Sequence, residues 1–269
     1  LVSRHDTLVA DWGLHAAGSA QARWNRRLDR WSLGLADLVL CDTWAHGALY
    51  ESLGVPRARL RRVPVGAEDP FFAVGPPPAA GPVRVLYVGG FLPLHGTLTV
   101  VEAVARLERE AGALPDFEVE MAGRGIEHGA ARELAERLGT RRLSFTGALP
   151  YAEAPRAMAA AHVVLGAFGA GAKAGRVVPH KVWQGLAAGR AVLTGDGEAL
   201  RELCVPGEHL AAVPRGDAAA LAGALARLVA RAGEREALGR RGRELARATG
   251  TPERLGAALL AALAAAERR

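Results

Sequence analysis

Three cationic side chains surround one predicted helix start in the second half of the chain. Lys173 and Arg176 follow a glycine-rich loop, and Lys181 lies in the first turn of the helix predicted after Pro179. Proline suits that position because its missing N–H would have no partner within the helix. Free backbone N–H groups and the helix dipole favour an anion at a helix start, and arginine can hold a phosphate bidentately. The pattern predicts a phosphate site, and a solvated basic surface loop is the alternative interpretation.

The segments around this loop indicate the elements that must position it. The helix buries one face through apolar residues four positions apart, Val182 and Leu186, and Gly189 ends it. Residues 83–90 and 191–194 are near-continuous apolar runs, as expected of parallel strands that are buried on both faces. Because strands and helices alternate along the chain, the sequence predicts an α/β fold with a Rossmann-like parallel sheet and helices on both faces.

The central segment also resembles a known family. Residues 173–196, KAGRVVPHKVWQGLAAGRAVLTGD, are similar to a bacterial branch of the family 4 retaining glycosyltransferases, which have two Rossmann-like domains, the GT-B fold. Most members carry two glutamates eight positions apart, and here those positions hold Arg176 and Gln184. Arg176 fits the branch, whereas Gln184 replaces the glutamate that usually binds the donor ribose. The resemblance implies that Lys173 and Gln184 contact the donor, and that Arg176 and Lys181 have catalytic roles.

Glycine-rich loops after other predicted strands belong to the same resemblance. After the VRVLYVGG strand comes PLHG, also typical of the branch, and Gly90 and His95 stand where most relatives have an arginine and a lysine that grip the donor diphosphate. Gly90 and Gly96 allow close approach of the backbone to a ligand. Gly123 belongs to a partial dinucleotide fingerprint, but the next strand lacks the acidic residue that a nicotinamide cofactor requires. Gly147 opens the turn that in the family packs on the nucleotide base.

The family pattern divides the chain into four parts. Residues 1–72 resemble part of the N-terminal, acceptor-side domain, and the Pro/Gly-rich residues 73–82 form a linker. Residues 83–250 resemble a complete nucleotide-sugar-binding domain, and residues 251–269 are predicted to form a helix that crosses back to the first domain. His5 is a candidate catalytic residue facing the cleft, and a surface or capping role is the alternative.

The first part is short for a Rossmann-like domain, so we expect an upstream segment to complete it. We also expect residues 83–250 to fold and bind nucleotide alone, and residues before 66 to be less protected from hydrogen exchange. For the same reason, we expect little turnover from these 269 residues.

The charge and the apolar patterning of the chain limit the classes of binding partner. The net charge of +6 favours anionic partners such as nucleotide phosphates or lipid head groups, unless the arginine content reflects genomic base composition. No interleaved basic and aromatic pattern supports nucleic-acid binding. Residues 21–36 form a predicted helix on which Trp24, Leu28, Trp31 and Leu35 make an apolar stripe beside a basic one. This helix suits either an anionic membrane surface or a position with its tryptophans in the core.

The resemblance implies a glycosyltransferase that moves a sugar from a nucleotide-sugar donor to a glycan or lipid-linked acceptor. We expect a cytoplasmic protein with possible peripheral contact to the inner face of the membrane. No cofactor is expected, and no metal is required, since no Asp-x-Asp cluster follows a predicted strand. The alternatives are a non-catalytic nucleotide-sugar-binding module or inactive fragment, and a sugar-nucleotide epimerase of the same fold.

Overall fold

The computed structural model describes residues 3–109, 112 and 114–267. The first part of the chain forms short helices and a small parallel sheet of two strands. Its elements are a helical segment at Asp6–Asp11, α1 (Ala20–Gly34), β1 (Val39–Cys41), α2 (Trp44–Ser52), β2 (Leu60–Arg62) and α3 (Asp69–Phe72). Leu33, Tyr50 and Leu60 belong to the small apolar core of this part. Thr43 caps α2, because its hydroxyl accepts a hydrogen bond from the His46 N–H at 3.1 Å.

The main sheet has six strands, all parallel. They are β3 (Val83–Val88), β4 (Phe117–Ala122), β5 (Leu143–Gly147), β6 (Val163–Leu165), β7 (Ala191–Gly195) and β8 (Ala211–Val213). Their spatial order is β5-β4-β3-β6-β7-β8. The predicted α/β fold with a Rossmann-like parallel sheet is confirmed.

Helices cover both faces of the main sheet, because parallel strands need a crossover connection. They are α4 (Thr97–Arg109), α5 (His128–Leu138), α6 (Ala154–Ala160), α7 (His180–Ala187), α8 (Glu198–Leu203), α9 (Ala218–Ala230), α10 (Ala232–Thr249) and α11 (Pro252–Glu267). On β3, Val85 and Tyr87 belong to one apolar core, and Leu86 belongs to the core on the opposite face. The continuous apolar run of this strand follows from burial on both sides.

The order in which strands are added to the sheet reverses at β3, which pairs with β4 on one side and with β6 on the other. In open parallel sheets, ligands bind outside the carboxyl ends of the strands at this reversal. The loops that follow β3, β4 and β6 therefore form the edge where a ligand site is expected.

The tryptophans of helix α1 face solvent, and its buried face carries polar residues, unlike that of an ordinary core helix. Trp24 and Trp31 are 59% and 66% exposed, so the interpretation that placed these tryptophans in the core is wrong. The buried face instead carries polar Asn25 and Asp29. Asp29 accepts hydrogen bonds from the Ser3 hydroxyl and from the backbone N–H groups of Arg4 and His5. Burial of this carboxylate is offset by those charge-assisted hydrogen bonds.

The first part of the chain is anchored to the helices of the main sheet. The Glu202 carboxylate on α8 accepts hydrogen bonds from the N–H groups of Trp44 and Ala45 at 2.7 Å each, which stabilises the start of α2. The Ala67 N–H donates to the Gly250 carbonyl at 3.0 Å. The domain boundaries and the crossing of the last helix stay predictions. Among the described helices, none is long and apolar enough to cross a membrane.

Candidate functional site

Glycines bring the loops after β3 and β4 into direct contact. Gly89 and Gly123 have φ angles of +142° and +153°, which residues with side chains rarely adopt. A Cβ on Gly123 would lie 1.8 Å from the Gly89 carbonyl oxygen. Gly123 therefore packs against the backbone of Gly89, and its predicted contact with the donor stays a prediction.

The loop after β3 is also joined to the glycine-rich loop after β6. The Phe168 N–H donates to the His95 carbonyl at 2.9 Å, and the Gly169 N–H donates to the Leu94 carbonyl at 3.1 Å. Gly96 has φ +62°, and a Cβ there would lie 2.5 Å from the Phe168 carbonyl carbon. The PLHG motif thus holds the loop that carries the cationic residues.

His95 points into the loop that it belongs to. Its Nδ1 lies 2.5 Å from the Gly90 carbonyl oxygen and 3.1 Å from the Tyr87 hydroxyl, so Nδ1 donates to that carbonyl. Burial, together with the nearby charge of Lys181, lowers the pKa of His95 to about 3. The imidazole is therefore neutral at pH 7, and it fixes the position of Gly90 within the loop.

Lys181 is a buried lysine with no acidic partner among the described residues. Its side chain is 5% exposed, and Nζ lies 3.8 Å from the centre of the Tyr87 ring. Gly89 makes room for it, because a Cβ there would lie 2.9 Å from Nζ. Within the described part of the chain Nζ has no hydrogen-bond partner, and burial lowers the pKa of Lys181 well below its usual value. An anion at the end of β3 would relieve this desolvation.

Lys173 and Arg176 contact the helical segment Asp6–Asp11 from the other side. Lys173 Nζ donates to the Thr7 hydroxyl at 2.7 Å and lies 3.9 Å from the Asp11 carboxylate. An Nη of Arg176 forms an ion pair with Asp6. Arg176 Nε is buried without a hydrogen-bond partner among the described residues, so one donor of its guanidinium is still available.

Gln184 lies on α7, one turn beyond Lys181, and is 6% exposed. Its Nε2 is 3.4 Å from Glu68 Oε2, and His180 Nε2 is 3.1 Å from the other oxygen of the same carboxylate. Burial opposes ionisation of Glu68, but the Tyr151 hydrogen bond and the nearby His180 hold its pKa below the usual value. A glutamine suits this position, since its amide can donate to Glu68.

The remaining candidate residues lie at the margin of the site. His5 precedes the segment that contacts Lys173 and Arg176, and its backbone N–H donates to Asp29 at 2.9 Å. Gly147 ends β5 with φ +68°, and no described atom lies within 4 Å of where its Cβ would be. Open space therefore lies beside this strand end. In the described ranges, no group of three or more His, Cys, Asp or Glu side chains is arranged to hold a metal ion.

Sequence reasoning did not identify Asp11 as a partner of Lys173, nor the position of Arg215 beside the glycine-rich loop. Asp11 is buried, and burial raises the pKa of its carboxyl although Lys173 opposes that shift. Arg215 lies against Gly175 and Gly197, where a Cβ would come within 2.6 Å of its guanidinium, and it donates to the Asp196 carbonyl at 2.7 Å. The composition gave one signal that the two lysines have a special role: Lys173 and Lys181 are the only lysines in a chain with 32 arginines.

Comparisons with known proteins identify a family and a shared fold. Residues 82–231 match the model of the family described as glycosyl transferases group 1. No curated protein matches the chain in sequence.

Solved structures share the fold. HepE from Anabaena, solved in complex with UDP and glucose, is 16% identical with a TM-score of 0.76, and the match covers 90% of this chain and 67% of HepE. Sucrose-phosphate synthase from Thermosynechococcus elongatus is 24% identical, with a TM-score of 0.71 and coverage of 90% of this chain and 62% of that one. A glycosyltransferase from Rickettsia africae is 13% identical, with a TM-score of 0.69 and coverage of 85% and 63%. The chain thus spans about two thirds of the length of these proteins.

Proposed function

Because the chain belongs to the glycosyl transferases group 1 family, we propose that it takes part in glycosyl transfer from a nucleotide-sugar donor. One observation carries the proposal: two buried cationic donors, Lys181 Nζ and Arg176 Nε, have no hydrogen-bond partner in the described part of the chain. Buried unsatisfied donors are costly, and a bound anion satisfies them. The UDP in the HepE complex supports a nucleoside diphosphate as that anion.

The proposed roles follow from the position of each group. Lys181 belongs to the first turn of α7, and its Nζ lies against Tyr87 at the end of β3. A diphosphate bound there would also face the start of α7. Lys173 and Arg176 already have acidic or hydroxyl partners, Thr7 and Asp6, which a bound diphosphate would replace or share. During transfer these cations would stabilise the charge that develops on the departing diphosphate.

The glycine loops and Gln184 would hold the rest of the donor. The neutral His95 ring positions Gly90, so we assign His95 a positioning role rather than a direct contact with phosphate. Gly96 fixes the loop, and Gly147 leaves space for the base beside β5. The Gln184 amide oxygen and the Glu68 carboxylate can accept hydrogen bonds from ribose hydroxyls.

We extend the proposal to the finer assignments that rest on resemblance alone. These are membership of the family 4 branch, retention of the anomeric configuration, and a glycan or lipid-linked acceptor. His5 is the candidate on the acceptor side, because the residues that follow it contact Arg176 and Lys173. Proton NMR of the product tests retention, since the anomeric coupling shows whether donor and product share the same configuration.

Peripheral membrane contact is proposed from helix α1. Trp24 and Trp31 are exposed on it, Leu35 is exposed directly after it, and the same helix exposes four arginines: Arg23, Arg26, Arg27 and Arg30. Exposed tryptophans beside arginines suit the interface of an anionic bilayer. Co-sedimentation with phosphatidylglycerol vesicles should be lost in Trp24→Ser/Trp31→Ser. Equal sedimentation of the variant and the parent protein would exclude this helix as the contact.

Calorimetry with UDP tests the donor site. Arg176→Ala should weaken UDP binding by about 1.5–3 kcal/mol, the range for hydrogen bonds to charged groups. Arg142→Ala is the matched control, because it removes a partly exposed arginine paired with Asp116 just before β5, away from the site. Equal affinities of the two variants, with both folds intact by circular dichroism, would remove Arg176 from the site.

Product analysis separates the transferase from the two alternatives. Release of nucleoside diphosphate with a new glycoside indicates transfer, an isomerised nucleotide sugar indicates an epimerase, and unchanged bound donor indicates a binding module. The assay is made on the 269-residue chain and on a form extended beyond Leu1.

A further inference from the structure

A second cavity lies at the opposite end of the main sheet. It is lined by the amino ends of strands, at Val83 of β3 and Ala191 of β7, by His162 just before β6, and by one face of α10. Its volume is about 740 Å³, within the range of small-molecule sites. Because β3 has six residues, this cavity and the candidate donor site lie roughly 20 Å apart.

The cavity wall carries an excess of positive charge. Five arginines line it against two glutamates, Glu236 and Glu244. In the described ranges no ion pair joins any of these arginines to a carboxylate, although ion pairs of other arginines are found elsewhere. The arginines are Arg190, Arg235, Arg240, Arg243 and Arg247. Such an uncompensated cluster attracts anions.

Three of these arginines, Arg190, Arg235 and Arg243, are fixed by backbone carbonyls rather than by acids. Arg190 is 2% exposed and donates to the carbonyls of Met158 at 2.8 Å and Gly75 at 2.5 Å. Arg243 donates to the Phe72 carbonyl, and its Nε is buried without a partner in the described part of the chain. Burial and the neighbouring Arg243 lower the pKa of Arg190 to about 10, as expected where guanidinium groups face one another.

The outer arginines, Arg240 and Arg247, are exposed and make no hydrogen bond or ion pair with the described residues. Arg240 and Arg247 lie seven positions apart on α10, so both face the cavity from one side of the helix. The linker residues Pro76, Pro77 and Pro78 also line the cavity and form a proline wall. Guanidinium groups together with this apolar surface suit a ligand with a phosphate group on an organic body.

We infer that this amino-end cavity binds a phosphate-bearing organic ligand, at a site separate from the donor site. The phosphate would pair with Arg240 and Arg247 at the mouth and reach the unpartnered Arg243 Nε within. The proline wall would contact the organic body. The ligand can be a soluble phosphate ester or a phospholipid head group, and the inference does not depend on glycosyl transfer.

Calorimetry with inorganic pyrophosphate, and co-sedimentation of the Trp24→Ser/Trp31→Ser protein with phosphatidylglycerol vesicles, distinguish the two sources, because this background removes the vesicle contact proposed for α1. The double variant Arg240→Gln/Arg247→Gln should lose binding by at least roughly tenfold, since each lost contact is charge-assisted. Arg241→Gln is the matched control, because Arg241 is exposed on the same helix but does not line the cavity. Arg176→Ala reports on any pyrophosphate bound at the donor site, at the other end of the sheet. Loss of binding at the cavity can therefore be told apart from loss of binding at the donor site.

A gain of affinity provides a second test that structural damage would not mimic. Glu236→Gln/Glu244→Gln removes the two negative charges of the wall and should tighten binding several-fold. Pyrophosphate binding with this pattern supports a soluble ligand, and vesicle binding alone with the same pattern supports a lipid head group. If neither probe responds to the arginine pair, or if Arg241→Gln weakens binding as much, the inference is wrong.

Discussion

Lys181→Met should make the protein more stable and its nucleotide binding weaker. Lys181 is almost fully buried, and its ammonium has no hydrogen-bond partner among the described residues. Replacing a buried ion pair by apolar side chains of similar volume is neutral or stabilises a fold by about 1–4 kcal/mol, and an unpaired buried ammonium lacks even the partner that offsets its desolvation. Losing the contact of Nζ with the Tyr87 ring costs about 0.5–2 kcal/mol. We therefore expect a net stabilisation of about 1–2 kcal/mol, and UDP affinity lower by about tenfold or more.

The other lysine provides a control with the opposite sign. Lys173 Nζ donates to Thr7 and lies near the buried Asp11, so Lys173→Met should destabilise the protein. Urea unfolding at pH 7 and calorimetry with UDP measure both effects on both variants. A Lys181→Met protein that is less stable than the parent and binds UDP equally well would refute the reasoning, because Lys181 would then be a structural residue.

Three further predictions concern the same site. His95 has a pKa of about 3 in the folded state, so between pH 3 and 6.5 the unfolded chain binds more protons than the folded protein does. The folded state therefore loses stability as the pH falls, by about 2 kcal/mol at pH 5. Urea unfolding should show that His95→Asn, which keeps a donor for the Gly90 carbonyl but does not titrate, lacks this part of the loss. Gln184→Glu should lower the free energy of unfolding by about 1–3 kcal/mol, because it places a second carboxylate against Glu68. The swap Glu68→Gln/Gln184→Glu should recover that stability. Equal stability of the single variant and the swap would show that the two side chains do not interact. Gly96→Ala should lower the free energy of unfolding by more than about 1 kcal/mol, because of its φ of +62° and the close Phe168 backbone, and an unchanged urea midpoint would count against this loop packing.

Much of the fold could be predicted, because local patterns determine it. The alternation of apolar strands with helices indicated a parallel sheet, and burial on both faces explains why β3 reads as a continuous apolar run. The cluster of Lys173, Arg176 and Lys181 was visible because these residues are close in sequence and flank one helix start.

What could not be predicted depends on contacts between distant residues. Arg176 pairs with Asp6 across 170 positions, and Gln184 meets Glu68 across 116. The period of α1 identified its apolar stripe, but periodicity does not say which stripe faces the core. The polar face is buried there because Asp29 satisfies backbone N–H groups at the start of the chain. The arginine cavity was equally hidden, since its walls come from the linker, α10 and the strand starts.

The most direct test uses the fact that the chain has only two lysines. Selective ¹³C labelling of the lysine ε-carbons gives one NMR signal for Lys181 and one for Lys173, and Lys181→Met assigns them. We predict that the pKa of Lys181 lies below the usual lysine value in the free protein, and that it rises when UDP-glucose binds, because a phosphate favours the charged ammonium. Normal titration of both lysines, with neither signal changing at saturating UDP-glucose, would contradict a donor diphosphate site at the end of β3.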